Sequence, residues 1–156
     1  MTLLEFFHWL EYLPLLVAMR GSPWLFPAIA TVHLLGLAII GGAVLVVDLR
    51  LLGLGLIRQP VAQLARDAEP LLFIGIAIML LTGPWLFLCF ATKYYYLTAF
   101  WVKLVCFVLV LLFTLTVRRR VVMGSGTAGA APKLVAVASL SLWFTVALGG
   151  RLIGFP

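Results

Sequence analysis

The chain has 156 residues, of which 65% are apolar and only 10% charged, with a net charge of +6. A soluble domain carries about a quarter charged residues, so this composition excludes an ordinary water-soluble fold and describes a membrane protein with room for about four spans. The basic residues cluster between apolar runs, which reads as membrane topology and leaves nucleic acid out as a partner.

Residues 2–19 are expected to form an amphipathic helix lying at the membrane surface. Thr2 and Glu5 fit a capping box. Glu5, His8, Glu11 and Tyr12 share one arc, and Leu3, Leu4, Phe6, Phe7, Leu10 and Leu13 take the rest. Pro14 kinks or ends this helix, and Gly21, Ser22 and Pro23 turn the chain into the first span. No basic residue precedes Arg20, so the N-terminus does not read as a secretory signal.

Span one covers about 24–47, WLFPAIATVHLLGLAIIGGAVLVV, with no Asp, Glu, Lys or Arg. That exceeds the ~20 apolar residues a helix needs to cross a ~30 Å hydrocarbon core. A polar connection follows, carrying Asp48, Arg50, Arg58, Arg66, Asp67 and Glu69. Span two covers about 70–90, with Pro70 at its start. Span three covers about 96–117 and holds one charge, Lys103, before Arg118, Arg119 and Arg120 end it. A flexible loop, GSGTAGAAP, leads to span four at about 134–153, with Arg151 near its far end. The fold class is therefore an all-α integral membrane protein, a four-helix bundle in one domain over 1–156 with an N-terminal interfacial helix.

Basic residues near span ends set the orientation. One side holds Arg50, Arg58, Arg66, Arg118, Arg119, Arg120 and Lys133; the other holds only Arg20, Lys93 and Arg151. The first set belongs in the cytoplasm of a bacterial inner membrane, with both termini outside. Trp9, Tyr12, Trp24, Trp85, Tyr94, Tyr95, Tyr96 and Trp101 gather toward the outer side.

At ~1.5 Å per helical residue, His33 lies ~13 Å and Lys103 ~10 Å below the outer boundary. Thr82 and Gly83 fall ~11 Å below it, and Thr145 ~12 Å. Each span thus places its least oily residues in one layer. Ionisable residues within spans are functional candidates by default. His33 either bonds a neighbouring Thr or carbonyl, or ligates haem iron or another metal. Ala30 and Gly36 leave space beside its ring. Gly83 and Pro84 open span two nearby, and Ser141, Thr145 and Gly149 give span four a small face that also suits helix packing. Lys103 either snorkels outward or stays in the bundle, as an axial ligand or as a partner for a propionate. His8 is a solvated polar residue or a second ligand. Arg20, Lys93 and Arg151 are rim residues able to pair with propionates.

No span contains paired carboxylates, so a proton relay has few parts. With two histidines and two scattered cysteines, no zinc set of the usual size, CxxCH or Ser-His-Asp arrangement is present. A bound redox cofactor would supply chemistry that these side chains lack.

HLLGLAIIGGAVLVVDLRLLG in span one, LLTG in span two and AFWVK opening span three resemble small bacterial four-helix membrane proteins. Among them are HemJ-type protoporphyrinogen oxidases, which bind haem b, and CopD-like copper-resistance domains. The HemJ-type resemblance implies that His33 and Lys103 are the key residues and that haem b is the cofactor. This chain differs in its extra N-terminal helix and in VVDLRLLGL, which replaces a basic, proline-containing segment. The CopD-like resemblance implies copper, for which Met1, Met19, Met79 and Met123 form no continuous soft-ligand path. The function expected is a haem-binding redox protein exchanging electrons with quinone or a partner redox subunit. It would act as a homo-oligomer or within a larger membrane complex. An accessory subunit without catalysis, and a small metal or solute permease, are the rival expectations.

Overall fold

The computed structural model describes residues 2–124 and 129–153, all helices and connections with no strand. Residues 125–128 of the expected flexible loop lie outside the described residues. The elements are α1 (Leu3–Glu11), α2 (Pro14–Gly21), α3 (Leu25–Leu52), α4 (Val61–Cys89), α5 (Ala91–Tyr95), α6 (Thr98–Phe113), α7 (Arg119–Met123) and α8 (Ala130–Ile153). A π-helical turn, Thr114–Arg118, joins α6 to α7 without a break. Four helical stretches, Leu25–Leu52, Val61–Cys89, Thr98–Met123 and Ala130–Ile153, are long and apolar enough to cross a membrane.

The N-terminal segment is two helices that meet at Pro14. The Thr2–Glu5 capping box does open α1: Thr2 N–H donates to Glu5 Oε2 at 2.8 Å and Glu5 N–H to Thr2 Oγ1 at 3.3 Å. Pro14 starts α2, because its locked φ suits a first turn and its missing N–H would be unpaired there anyway. The long helical stretches also exceed their expected ends, Thr98–Met123 by six residues past Val117. α3 runs five residues past Val47 and stops where Gly53 takes φ +80°, a left-handed cap that lets Leu54 N–H reach Leu49 O at 2.9 Å. α4 begins at Val61, so Pro70 sits inside the helix rather than at its start. Pro70 and Pro84 are both exposed, and α4 continues through them. α8 begins at Ala130, inside the expected loop.

Antiparallel α3 and α4 form the closest pair. His33, Gly36 and Ile40 share one α3 face (i, i+3, i+7), and Gly75, Ile78 and Thr82 repeat that spacing on α4. A Cβ on Gly36 would come 2.7 Å from Ile78 Cγ2, and one on Gly75 would come 2.5 Å from Ile40 Cγ1 and 2.9 Å from Gly36 O. The backbones approach this closely only because both residues are glycine. α6 pairs with α8, and the two pairs join along α3 and α8. Ile40, Val44, Met79, Val110, Trp143 and Val146 fill the centre.

The two ends of the bundle differ. At the aromatic end, Phe87 stacks on Phe100 with centroids 4.9 Å apart, and Phe7 meets Phe87 edge-on at 5.2 Å. There α2 buries Leu16 and Met19 against Cys89. At the arginine end, Val47, Leu51, Leu64, Ala65, Val122 and Ala136 form a second apolar layer.

Candidate functional site

His33 is half-buried near the aromatic end. Its Nδ1 lies 2.7 Å from Thr82 Oγ1, and Thr82 Oγ1 lies 2.6 Å from Ile78 O. A carbonyl only accepts, so the single hydroxyl proton of Thr82 goes to Ile78. Thr82 oxygen must then accept from His33 Nδ1–H. In the neutral ring this assigns the proton to Nδ1 and leaves the lone pair of Nε2 free. Locking one imidazole nitrogen so that the other is free is how proteins orient metal-binding histidines. Gly83 lies beside the ring, since a Cβ there would stand 3.5 Å from His33 Cε1.

Lys103 belongs to the other helix pair. Its stem crosses α8 at Gly149 and Gly150, where added Cβ atoms would come 3.0 Å from Lys103 Cβ and 3.4 Å from Nζ. Its ammonium is close enough to the imidazole for the two to interact electrostatically. The structure therefore brings His33, Thr82, Gly83 and Lys103 to one neighbourhood, with Gly149 and Gly150 making room for the lysine.

Other expected site residues fall elsewhere. Gly36 is covered by Ile78 and serves the α3–α4 contact instead of opening space beside the ring. The Thr145 hydroxyl donates to Ser141 O on its own helix at 2.9 Å. Arg151 is exposed at the end of α8. His8 is exposed and its ring lies tilted against that of Tyr12, with centroids 4.8 Å apart. Arg20 is not a spare rim cation, because its Nη1 donates to Glu11 Oε1 at 2.8 Å and to Cys89 O at 3.0 Å. Glu11 Oε2 in turn accepts Thr92 N–H at 2.9 Å, tying α1 and α2 to α5. Burial pushes the Glu11 carboxyl up, but the hydrogen bonds from Thr92 and the Arg20 charge outweigh it and hold the group below the usual range.

One cluster was not anticipated. Asp48 and Arg118, expected in aqueous connections, are inside the bundle: Asp48 is 0% and Arg118 6% exposed. Arg118 Nε–H donates to Asp48 Oδ1 at 2.8 Å. Ser139, also 0% exposed, stands beside the carboxylate, yet its hydroxyl falls outside hydrogen-bond geometry. Asp48 Oδ2, Ser139 Oγ and Thr114 Oγ1 are buried without partners. Thr114 and Arg118 bound the π-helical turn, a distortion that often marks functional positions. The signal was present in sequence: Val110, Thr114, Arg118 and Val122 repeat every four residues along one buried stripe.

Four long apolar helices enclosing two polar centres define a multi-pass membrane protein. It belongs to DUF6644, a family of unknown function whose model matches residues 6–156. No curated protein and no solved structure matches the chain.

Proposed function

We propose that this is a bacterial inner-membrane protein that binds b-type haem through His33 and passes electrons to or from quinone or a partner redox subunit. The observation that carries the reading is the His33 Nδ1–H bond to Thr82, which leaves Nε2 free to ligate. A haem iron suits this donor set. Porphyrin supplies four of its ligands, so one or two side chains suffice. A bare metal ion would need more, and no group of three His, Cys, Asp or Glu side chains is placed to hold one among the described residues. When bound, haem would supply one-electron transfer. The chain's own part is to hold and orient it. His33 ligates, Thr82 fixes the ring, Gly83 leaves space beside it, and Lys103 is a second ligand or a propionate partner. The resemblance to HemJ-type proteins, with His33 and Lys103 at matching positions, favours haem over copper.

In this reading the aromatic end faces outward, with both termini and Arg151 outside, and the arginine end faces the cytoplasm, following the excess of basic residues there. α1 and α2 lie at the outer membrane surface. The protein works as a homo-oligomer or inside a larger membrane complex.

The test is a reduced-minus-oxidised absorption spectrum of the full chain purified after expression with adequate haem. Soret and α bands that His33→Ala removes are expected. A colourless, folded protein would overturn the reading in favour of an accessory subunit. Lys103→Met separates its two roles: loss of a second ligand changes the spin state, whereas loss of a propionate partner weakens retention and leaves the bands in place.

A further inference from the structure

We propose that residues 53–60, the connection between α3 and α4, are a wedge that inserts Leu54, Leu56 and Ile57 into the headgroup layer of an anionic bilayer, with Arg58 pairing to lipid phosphate. Both ends of the connection are anchored, since Leu51 and Val61 are each 3% exposed within the apolar layer of the arginine end. Between them the large side chains turn outward: Leu54 is 74%, Leu56 50% and Ile57 72% exposed. An exposed apolar cluster of this kind marks a surface that meets a membrane or a partner. The loop is also held in this shape. Arg50 Nε donates to Gln59 O at 2.8 Å and its Nη2 to Ile57 O at 3.3 Å, stapling the end of α3 to the far side of the loop. Gln59 N–H closes a turn on Leu56 O at 3.0 Å. Leu56 takes φ +47°, a left-handed backbone that a bulky side chain adopts only with strain. An apolar layer lies at both ends of this loop, yet the strained turn keeps the three side chains off it.

Depth and charge together select the occupant. The 28 residues of α3 span ~42 Å, close to the ~40–45 Å of a bilayer with its headgroups, so the loop that follows stands at headgroup level. There apolar side chains bury themselves ~5–10 Å into the boundary between headgroups and acyl chains. Arg58, Arg66, Arg120 and Lys133 are exposed at this end, and no ion pair holds them among the described residues. Of the acidic residues here, Asp48 is taken by Arg118 and Glu69 by Arg119, which leaves Asp67 alone to oppose them. Exposed Lys and Arg near a bilayer surface draw anionic headgroups toward it. A protein partner would have to supply an apolar pocket with an acidic rim. An anionic leaflet supplies negative charge and apolar depth at the level where the loop already stands. No residue of the His33 neighbourhood takes part, so the proposal stands apart from haem binding.

The experiment is spin labelling of the full chain in lipid nanodiscs. A nitroxide is attached at Ile57→Cys, and separately at Leu54→Cys, with Cys89→Ala and Cys106→Ala removing the native thiols. Its collisions with oxygen, which concentrates in the bilayer, are compared with its collisions with a water-soluble nickel chelate. We expect both labels to meet oxygen severalfold more than the chelate. The ratio should rise when part of the phosphatidylcholine is replaced by phosphatidylglycerol, and Arg58→Gln should abolish that rise. If the chain without native thiols fails to fold, Ile57→Trp in the native background decides, with extra quenching by brominated lipid over the unsubstituted protein expected. The proposal is overturned if the chelate reaches both labels freely, or if the added tryptophan is not quenched. Shielding from both reagents overturns it too, because a second copy or another protein would then cover the loop. So does a ratio indifferent to phosphatidylglycerol or to Arg58→Gln.

Discussion

The buried Asp48–Arg118 pair gives the sharpest stability prediction. Asp48→Asn leaves the guanidinium without a counter-charge, and Arg118→Met leaves the carboxylate without one while keeping the aliphatic volume. Both groups are almost wholly enclosed, at 0% and 6% exposure, so solvent screens little of the loss. Removing one partner of such a pair costs about 3–5 kcal/mol, because the other charge stays buried and uncompensated. Removing both deletes that penalty, and the double variant should lie well above the sum of the singles, with a coupling of about 3 kcal/mol. Reversible unfolding in mixed detergent, followed by circular dichroism, measures all four corners of the cycle. Additive singles, with a coupling under about 1 kcal/mol as at exposed pairs, would refute the buried ion pair.

At the α3–α4 crossing, Gly75→Ala should destabilise by about 1–3 kcal/mol, since the new methyl meets backbone at Gly36 O as well as Ile40. Gly41→Ala has nothing within 4 Å and should be neutral or gain up to about 1 kcal/mol of helix propensity in the same unfolding assay. Thr82→Val keeps shape but removes the acceptor that holds His33. It should weaken haem retention about 10–100-fold in a Soret titration, and equal retention would deny Thr82 its orienting role. The folded Glu11 carboxyl titrates below its ordinary value of 4.5, so its contribution is fully present above that pH and is lost as pH falls through the lower folded value. Hydrogen exchange of α1 and α2 amides should accelerate in that acid window, and Glu11→Gln should exchange fast at every pH.

The four long helices were legible because lipid leaves a chain few options: backbone groups must pair within a helix, and apolar runs must be long enough to cross. Depth was legible too, since a uniform rise per residue brings His33 and Thr82 level, and they prove to be hydrogen-bonded. Direction around each helix was not. Thr145 shares their depth but turns its hydroxyl to its own backbone, and Gly36 faces Ile78. In sequence, Asp48 and Arg118 read as water-facing, because a charge at the end of an apolar run usually marks the boundary. Both instead continue buried stripes, Ile40, Val44 and Asp48 on α3, and Val110, Thr114 and Arg118 across the π-helical turn. A charge in phase with a buried face belongs to the bundle even where hydropathy falls.

α3 carries both polar centres, and its length explains how. Its 28 residues span ~42 Å, more than a ~30 Å hydrocarbon core, so Asp48 lies near one end of the helix and is enclosed by protein rather than by lipid. His33 stands 15 residues away, ~22 Å along the axis. Sites that far apart, with no shared partner, are expected to act independently. The double variant His33→Ala/Asp48→Asn should therefore lose stability equal to the two single losses within about 0.5 kcal/mol. Its spectrum should match that of His33→Ala alone. A larger coupling would mean that α3 transmits strain between its ends, through the tight glycine contact it makes with α4 at Gly36 and Gly75. Adding Gly75→Ala to the cycle would then change the coupling; if it does not, that contact is not the route.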